Sequence, residues 1–184
     1  MTRTTLAATF FVGLALGAAG AWYGPGLVAR HQPYAGQDAR AVSSLSAKDV
    51  AQLEAGEGRG LAKPAELNGY PGPAHVIELA DDLALTPEQT AAVQTSFAAM
   101  RERARKLGVD LIAAERQLDA AFESGTIDRA VLDRLLKEAE TVRAALRGVH
   151  LAAHLEVTPL LNEAQRERYA ALRGYGDHDG HGGH

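Results

Sequence analysis

Residues 85–128 read LTPEQTAAVQTSFAAMRERARKLGVDLIAAERQLDAAFESGTID, and their spacing predicts a capped helix start followed by one long amphipathic helix. Thr86 is a good N-cap, Pro87 suits the first helical position, and Gln89 falls three residues after the cap, where it closes a capping box. Behind this start, Val93, Phe97, Met100, Ala104, Leu107, Leu111, Ala114, Leu118 and Phe122 recur alternately at four and three residues. Such a seam, lasting about four heptads, belongs to a helix that lies lengthwise on another. Gly108 weakens the middle of the helix and is a candidate bend. Ser124-Gly125-Thr126 ends it, and Asp128 caps a second helix with the seam Leu132, Leu135, Ala139, Val142, Leu146, Val149, Ala153 and Val157. Two long helices joined by a few residues predict an antiparallel hairpin.

Pro159 interrupts the second seam. Asn162 then caps a last helix, again with a glutamine, Gln165, three residues on, and with Tyr169 and Leu172 on one face. Leu161-Asn162-Glu163-Ala164-Gln165 therefore repeats the start signal Leu85-Thr86-Pro87-Glu88-Gln89 on the other side of the hairpin. Upstream, Asn68-Gly69-Tyr70-Pro71-Gly72-Pro73 is a strong turn signal leading into a short helix, Ala74 to Leu79. Residues 22–66 are punctuated by Gly and Pro and read as a mostly irregular arm, with one short helix from a Ser46 cap through Ala47 to Leu53. The expected organisation is a leading segment at 1–21, this arm, a helical domain at 67–175 and a flexible His-rich tail at 176–184.

The first 21 residues have a basic start at Arg3, an apolar or small-residue run from Leu6 to Tyr23, and Ala19-Gly20-Ala21 as a cleavage site. This reads as a secretory signal. An uncleaved anchor is the alternative, because the run is about long enough to span a bilayer and Trp22 and Tyr23 suit the interface. Either way, the remainder is expected in the periplasm.

Composition narrows the function classes. Hydrophobic residues make up 46% of the chain but aromatics only 5%, and alanine supplies much of the rest. That balance favours close-packed helices over a sheet. A formal net charge of -4 without a Lys/Arg-rich run speaks against nucleic acid as a partner. With no cysteine, disulfides, thiol catalysis and thiolate metal sites are excluded. There is no nucleophile motif, phosphate-binding Gly loop or catalytic carboxylate pair, so an enzyme is not expected.

The paired helix starts resemble the hallmark of the Spy/CpxP family of periplasmic proteins, a repeated Leu-Thr-x-x-Gln motif. Leu85, Thr86 and Gln89 match it fully; Leu161, Asn162 and Gln165 depart by Asn for Thr, which preserves capping. The stretch Leu67–Pro73 also looks like that of members described as refolding chaperones. The likeness spans about Leu67 to Tyr175. It implies an all-α fold: a bent antiparallel hairpin with short flanking helices, four in all, that pairs as a homodimer to form a cradle. It further implies binding of unfolded or misfolded envelope proteins without ATP, or of a membrane sensor protein. Other relatives are metal sensors or zinc-responsive proteins, so a heavy-metal sensor or resistance role is the alternative. In the cradle reading Phe97, Met100, Arg101 and Arg105 face a client or a second subunit. Arg101, Arg103, Arg105 and Lys106 would attract acidic clients, or simply solvate an exposed face.

The seven histidines bear on the alternative. His178, His181 and His184 sit among Gly and Asp in the tail, a composition suited to zinc, copper, nickel or cobalt. His150 and His154 form an i,i+4 pair on one helical face, beside the apolar seam, where polar packing is the competing explanation. Leu151 stands where a metalloprotease would carry its glutamate. His75 is a candidate third ligand if the short helix folds back near Val149. No cofactor is required by this reading, and a divalent transition metal is the candidate ligand.

Overall fold

The computed structural model describes residues 33–175. The chain divides into two units between Gly36 and Gln37. The described residues of the second unit form six α-helices and no strand: α1 (Ala47–Ala55), α2 (Lys63–Glu66), α3 (Pro73–Glu78), α4 (Pro87–Glu123), α5 (Arg129–Val157) and α6 (Glu163–Arg173), with a 3-10 turn at Thr158–Leu160 before α6. The fold is an all-α helical hairpin. α4 and α5 form its arms; α3 and α6 flank it, and α1 and α2 precede these four. Among the described residues no helix is long and apolar enough to cross a membrane. The leading segment at 1–21 lies outside them.

The two seams become the two core regions. Ala104, Leu111 and Ile112 of α4 meet Leu146 of α5 together with Val42, Leu45 and Leu53. At the other end Val93 of α4 and Val157 of α5 enclose Val76, Leu83, Leu161 and Tyr169. Full burial of each such side chain contributes about 1.5–3 kcal/mol before entropy is counted, so the segment before residue 67 is a structural part of the hairpin. Ser46 caps α1 through a complete capping box with Asp49, and Gly56 ends it at φ 73, a left-handed conformation that glycine adopts without strain. Arg101 Nε donates to Ala55 O at 3.1 Å and Arg105 Nε to Glu54 O at 3.2 Å. Both arginines, expected at a client-facing surface, thus satisfy carbonyls at the C-terminal end of α1, where positive charge is favourable.

Gly108 is the contact point. A Cβ there would lie 2.2 Å from Leu53 O, so the missing side chain lets α1 cross α4 backbone to backbone. The glycine that spacing marks as a candidate bend is a packing requirement. Farther along α4, Ser43 N–H donates to Asp119 Oδ2 at 2.7 Å and Ser44 Oγ to Glu115 Oε2 at 2.8 Å. Arg143 Nη2 of α5 reaches Glu115 Oε1 at 2.5 Å, so this buried carboxylate joins the 43–44 segment, α4 and α5.

The paired helix starts meet directly. Thr86 and Asn162 each close a full capping box with Gln89 and Gln165. Gln89 Nε2 donates to Gln165 Oε1 at 2.9 Å, and Gln165 Nε2 returns a bond to Gln89 Oε1 at 3.0 Å. Each amide also holds a carbonyl near the other start: Gln89 bonds Leu160 O at 2.7 Å and Gln165 bonds Leu83 O at 3.3 Å. Only an amide can accept for its own cap and donate across the pair. The repeat is therefore one interlocked structure joining the starts of α4 and α6.

Candidate functional site

Three of the predicted histidines, together with one carboxylate that no motif singles out, line a single pocket of about 570 Å³. His150 and His154 come from the C-terminal half of α5, one turn apart. Both are buried, at 4% and 7% exposure, although the periodicity places them at the edge of the seam. The reason lies in the neighbouring segments: Gly58 and Gly72 fold over the imidazoles so closely that a Cβ on them would stand 3.3 Å from His150 Nδ1 and 2.9 Å from His154 Cε1.

Glu66, the last residue of α2, is the centre of the cluster. Its Oε1 accepts from Tyr169 Oη at 2.5 Å and from Tyr175 Oη at 3.1 Å, with Arg173 Nε at 3.4 Å and His75 Nδ1 at 3.2 Å. Gly72 N–H donates to Tyr169 Oη at 3.2 Å and so orients that hydroxyl. Burial alone would raise the Glu66 carboxyl, but the Tyr169 bond, the charge of His75, the Tyr175 bond and His154 together hold it below the usual carboxylate range. Burial, followed by the bond to Glu66, drives the Tyr169 phenol well up, so it stays a donor.

Hydrogen-bond partners assign the ring tautomers. His154 Nδ1 lies 2.7 Å from Tyr70 O; a carbonyl can only accept, so Nδ1 carries a hydrogen, and in the neutral ring Nε2 is the nitrogen with the lone pair. This is the arrangement in which a backbone carbonyl orients a metal-binding imidazole. His75 Nε2 faces Arg173 Nη2 at 3.3 Å. Its other ring nitrogen, Nδ1, is the one that faces Glu66. Burial, and then the charge of His154, depress the His150 pKa, keeping that imidazole neutral near pH 7.

Two atoms of this cluster that could hold a metal, His150 Nε2 and Glu66 Oε2, are buried and have no hydrogen-bond partner. Unsatisfied buried polar atoms cost about 1–3 kcal/mol each, and both residues line a pocket that also holds His154. Neutral imidazole and carboxylate are transition-metal donors, so the chemistry of the set fits a bound metal ion. Its present spacing does not: among the described residues no three of His, Cys, Asp or Glu are gathered around one point ready for an ion. Binding would have to draw the donors together.

Of the other predicted site residues, Phe97, Met100 and Arg101 line the same pocket, and Arg105 holds α1. Leu85, Thr86, Gln89, Leu161, Asn162 and Gln165 belong to the interlocked helix starts. His178, His181 and His184 lie outside the described residues. Glu66 carries only a weak sequence signal: it directly precedes the Leu67–Pro73 turn that the resemblance singles out, but by composition it belongs to the arm.

A family model described as heavy-metal resistance matches residues 59–168, more than half of the chain. The chain belongs to this heavy-metal resistance family, a branch of the Spy/CpxP-like group defined by the Leu-Thr-x-x-Gln motif. No curated protein and no solved structure matches it. The matched stretch of the heavy-metal resistance family includes Glu66, His75, His150, His154 and both helix starts, and ends just before Tyr169.

Proposed function

We propose that this protein binds transition-metal ions outside the cytoplasm, through Glu66, His150 and His154, as part of heavy-metal sensing or resistance. The observation that carries this reading is the convergence of two buried imidazoles and a buried carboxylate on one pocket, two of them with an unused donor atom. His75, Tyr169 and Tyr175 hold Glu66 in place, the role that hydrogen-bonded neighbours play around metal ligands. The ion would supply a positive centre that satisfies both orphan atoms at once. The protein acts by binding, without catalysis, and the His-rich tail offers a second set of donors.

The deciding experiment titrates zinc, copper, nickel and cobalt into the full chain, into a His150→Ala/His154→Ala variant, and into one with the three tail histidines changed to alanine. Tight binding that survives the tail changes but is lost in the helix variant is the expected result. Binding lost only with the tail would refute the pocket reading.

A chaperone or sensor-adaptor role of Spy/CpxP type is the second reading. It draws on solvent-facing apolar side chains of the hairpin arms, Val109, Phe122, Leu136 and Leu155, which are 41–59% exposed. Such residues suit a client or a second copy of the chain. If stoichiometric protein fails to slow the aggregation of a denatured client, this reading is abandoned.

A further inference from the structure

One segment covers two features of the hairpin at once. Residues 37–58 precede the stretch matched by the family model, which begins at Arg59. Within them, Val42, Leu45 and Leu53 pack on Ala104, Leu111 and Ile112 of α4 and Leu146 of α5, filling the groove between the arms. Beyond α1 the same segment reaches the pocket. A Cβ on Gly56 would stand 2.7 Å from Arg101 O, and one on Gly58 would stand 3.3 Å from His150 Nδ1 and 3.5 Å from its Cε1. Gly58 therefore lies on the His150 ring, whereas His154 is covered by Gly72, from the turn before α3.

The attachments of this segment hold it as one piece and leave a pivot behind it. Arg59 sits at φ 44, a left-handed value that strains a residue bearing a Cβ, and its guanidinium pairs with Asp49 of α1. Linker and helix are thus tied together. Gly60 follows at φ 77, with nothing within 4 Å of where a Cβ would stand, so the backbone can turn there without a clash. A turn bond from Leu61 N–H to Gly58 O at 2.7 Å closes the linker. Lifting the segment orphans no buried charge: Glu115 loses Ser44 Oγ but keeps Arg143. The carbonyls of Glu54 and Ala55, released by Arg105 and Arg101, exchange those bonds for water.

We propose that residues 37–59 are a hinged strap, pivoting at Gly60, that closes the hairpin groove and the His150 side of the pocket together. Opening lifts Leu53 from Gly108 and Gly58 from His150 in one movement. Access to that imidazole and exposure of the apolar groove are then a single event, a local opening that leaves the rest of the fold intact. His154, under Gly72, stays covered in the open form. The strap governs entry to the pocket whatever ligand the pocket takes, and it does not depend on reading the pocket as a metal site.

The test uses the full chain, with a chelator present and no metal added, as wild type and as Leu53→Ala, which removes an anchor of α1 outside the pocket lining. Amide hydrogen exchange reports the opening of α1. Diethyl pyrocarbonate, which modifies accessible neutral imidazoles, is mapped by mass spectrometry onto His150 and His154. Under conditions where reclosing outruns both reactions, we expect α1 amides of the wild type to exchange well before those of α4 and α5. Leu53→Ala should speed α1 exchange and His150 modification by the same factor, about tenfold or more, and leave His154 unchanged. Exchange of α1 only together with α4 and α5 overturns the proposal. So does faster α1 exchange with unchanged His150 reactivity, or equal acceleration at His154. Should Leu53→Ala not fold, the wild type in urea below its unfolding transition gives the same comparison. There α1 exchange and His150 modification rise together ahead of the hairpin, or the strap is not a unit. Because no ion takes part, failure of the metal titration and failure of the strap are told apart.

Discussion

His150 and Glu66 show how single residues acquire their properties from what covers them. A histidine one turn from another on a helix is ordinary in sequence; in the fold it is buried beneath Gly58, with its pKa depressed first by burial and then by His154. The linkage has a definite sign. A histidine that resists protonation in the folded state leaves stability intact above the ordinary value near 6.5 and erodes it as pH falls below that toward the depressed folded value. Glu66, whose folded pKa is also lowered, adds a second loss at lower pH, as its carboxylate is protonated. Thermal unfolding followed from pH 8 to 4 should therefore show a falling midpoint beginning near 6.5. The decline between roughly pH 6.5 and 5 should flatten in His150→Leu, whereas Glu66→Gln should affect only the more acidic part. A wild-type midpoint that stays level until the carboxylate range would contradict the burial argument.

Helices here are specified by their ends and by the places where they touch. Thr86 and Asn162 start α4 and α6, but the two glutamines, by bonding each other and each other's preceding carbonyls, also fix where those starts sit. The glycines separate two kinds of helix interior. Gly108 lies under Leu53 O, whereas a Cβ on Gly148 of α5 would meet nothing within 4 Å. The same substitution should consequently have opposite signs. Gly148→Ala should stabilise by about 0.5–1 kcal/mol through helix propensity. Gly108→Ala gains the same propensity but forces α1 away, with an overpacking cost of about 1–3 kcal/mol, and should be net destabilising. Urea unfolding of both variants measures this directly; a stabilised Gly108→Ala would mean that α1 does not press on α4 as described.

At the scale of the whole molecule, metal binding and stability are linked. Glu66 precedes the hairpin and His150 and His154 lie in its second arm, so an ion bound by them joins segments far apart in sequence. An ion that binds the folded chain alone stabilises it by about 2.7 kcal/mol at a hundred times its dissociation constant. The unfolding midpoint should rise on adding whichever of zinc, copper, nickel or cobalt binds the pocket and fall back with a chelator. Persistence of the full rise in the His150→Ala/His154→Ala variant would place the ion elsewhere. Much of this molecule was legible in one dimension: periodicity and caps specify local geometry, so the long helices, their hairpin, the second start at Asn162 and the i,i+4 histidine pair all followed from spacing alone. The resemblance carried by the two starts identified the group to which the heavy-metal resistance family belongs. What spacing could not express is which segments lie on top of one another. Tertiary structure alone made Gly108 a crossing point, turned Arg101 and Arg105 toward α1, buried Val42, Leu45 and Leu53 in the hairpin's core, and brought Glu66 to the histidines. These depend on contacts between residues dozens of positions apart, decided by the burial of faces that each helix cannot cover by itself.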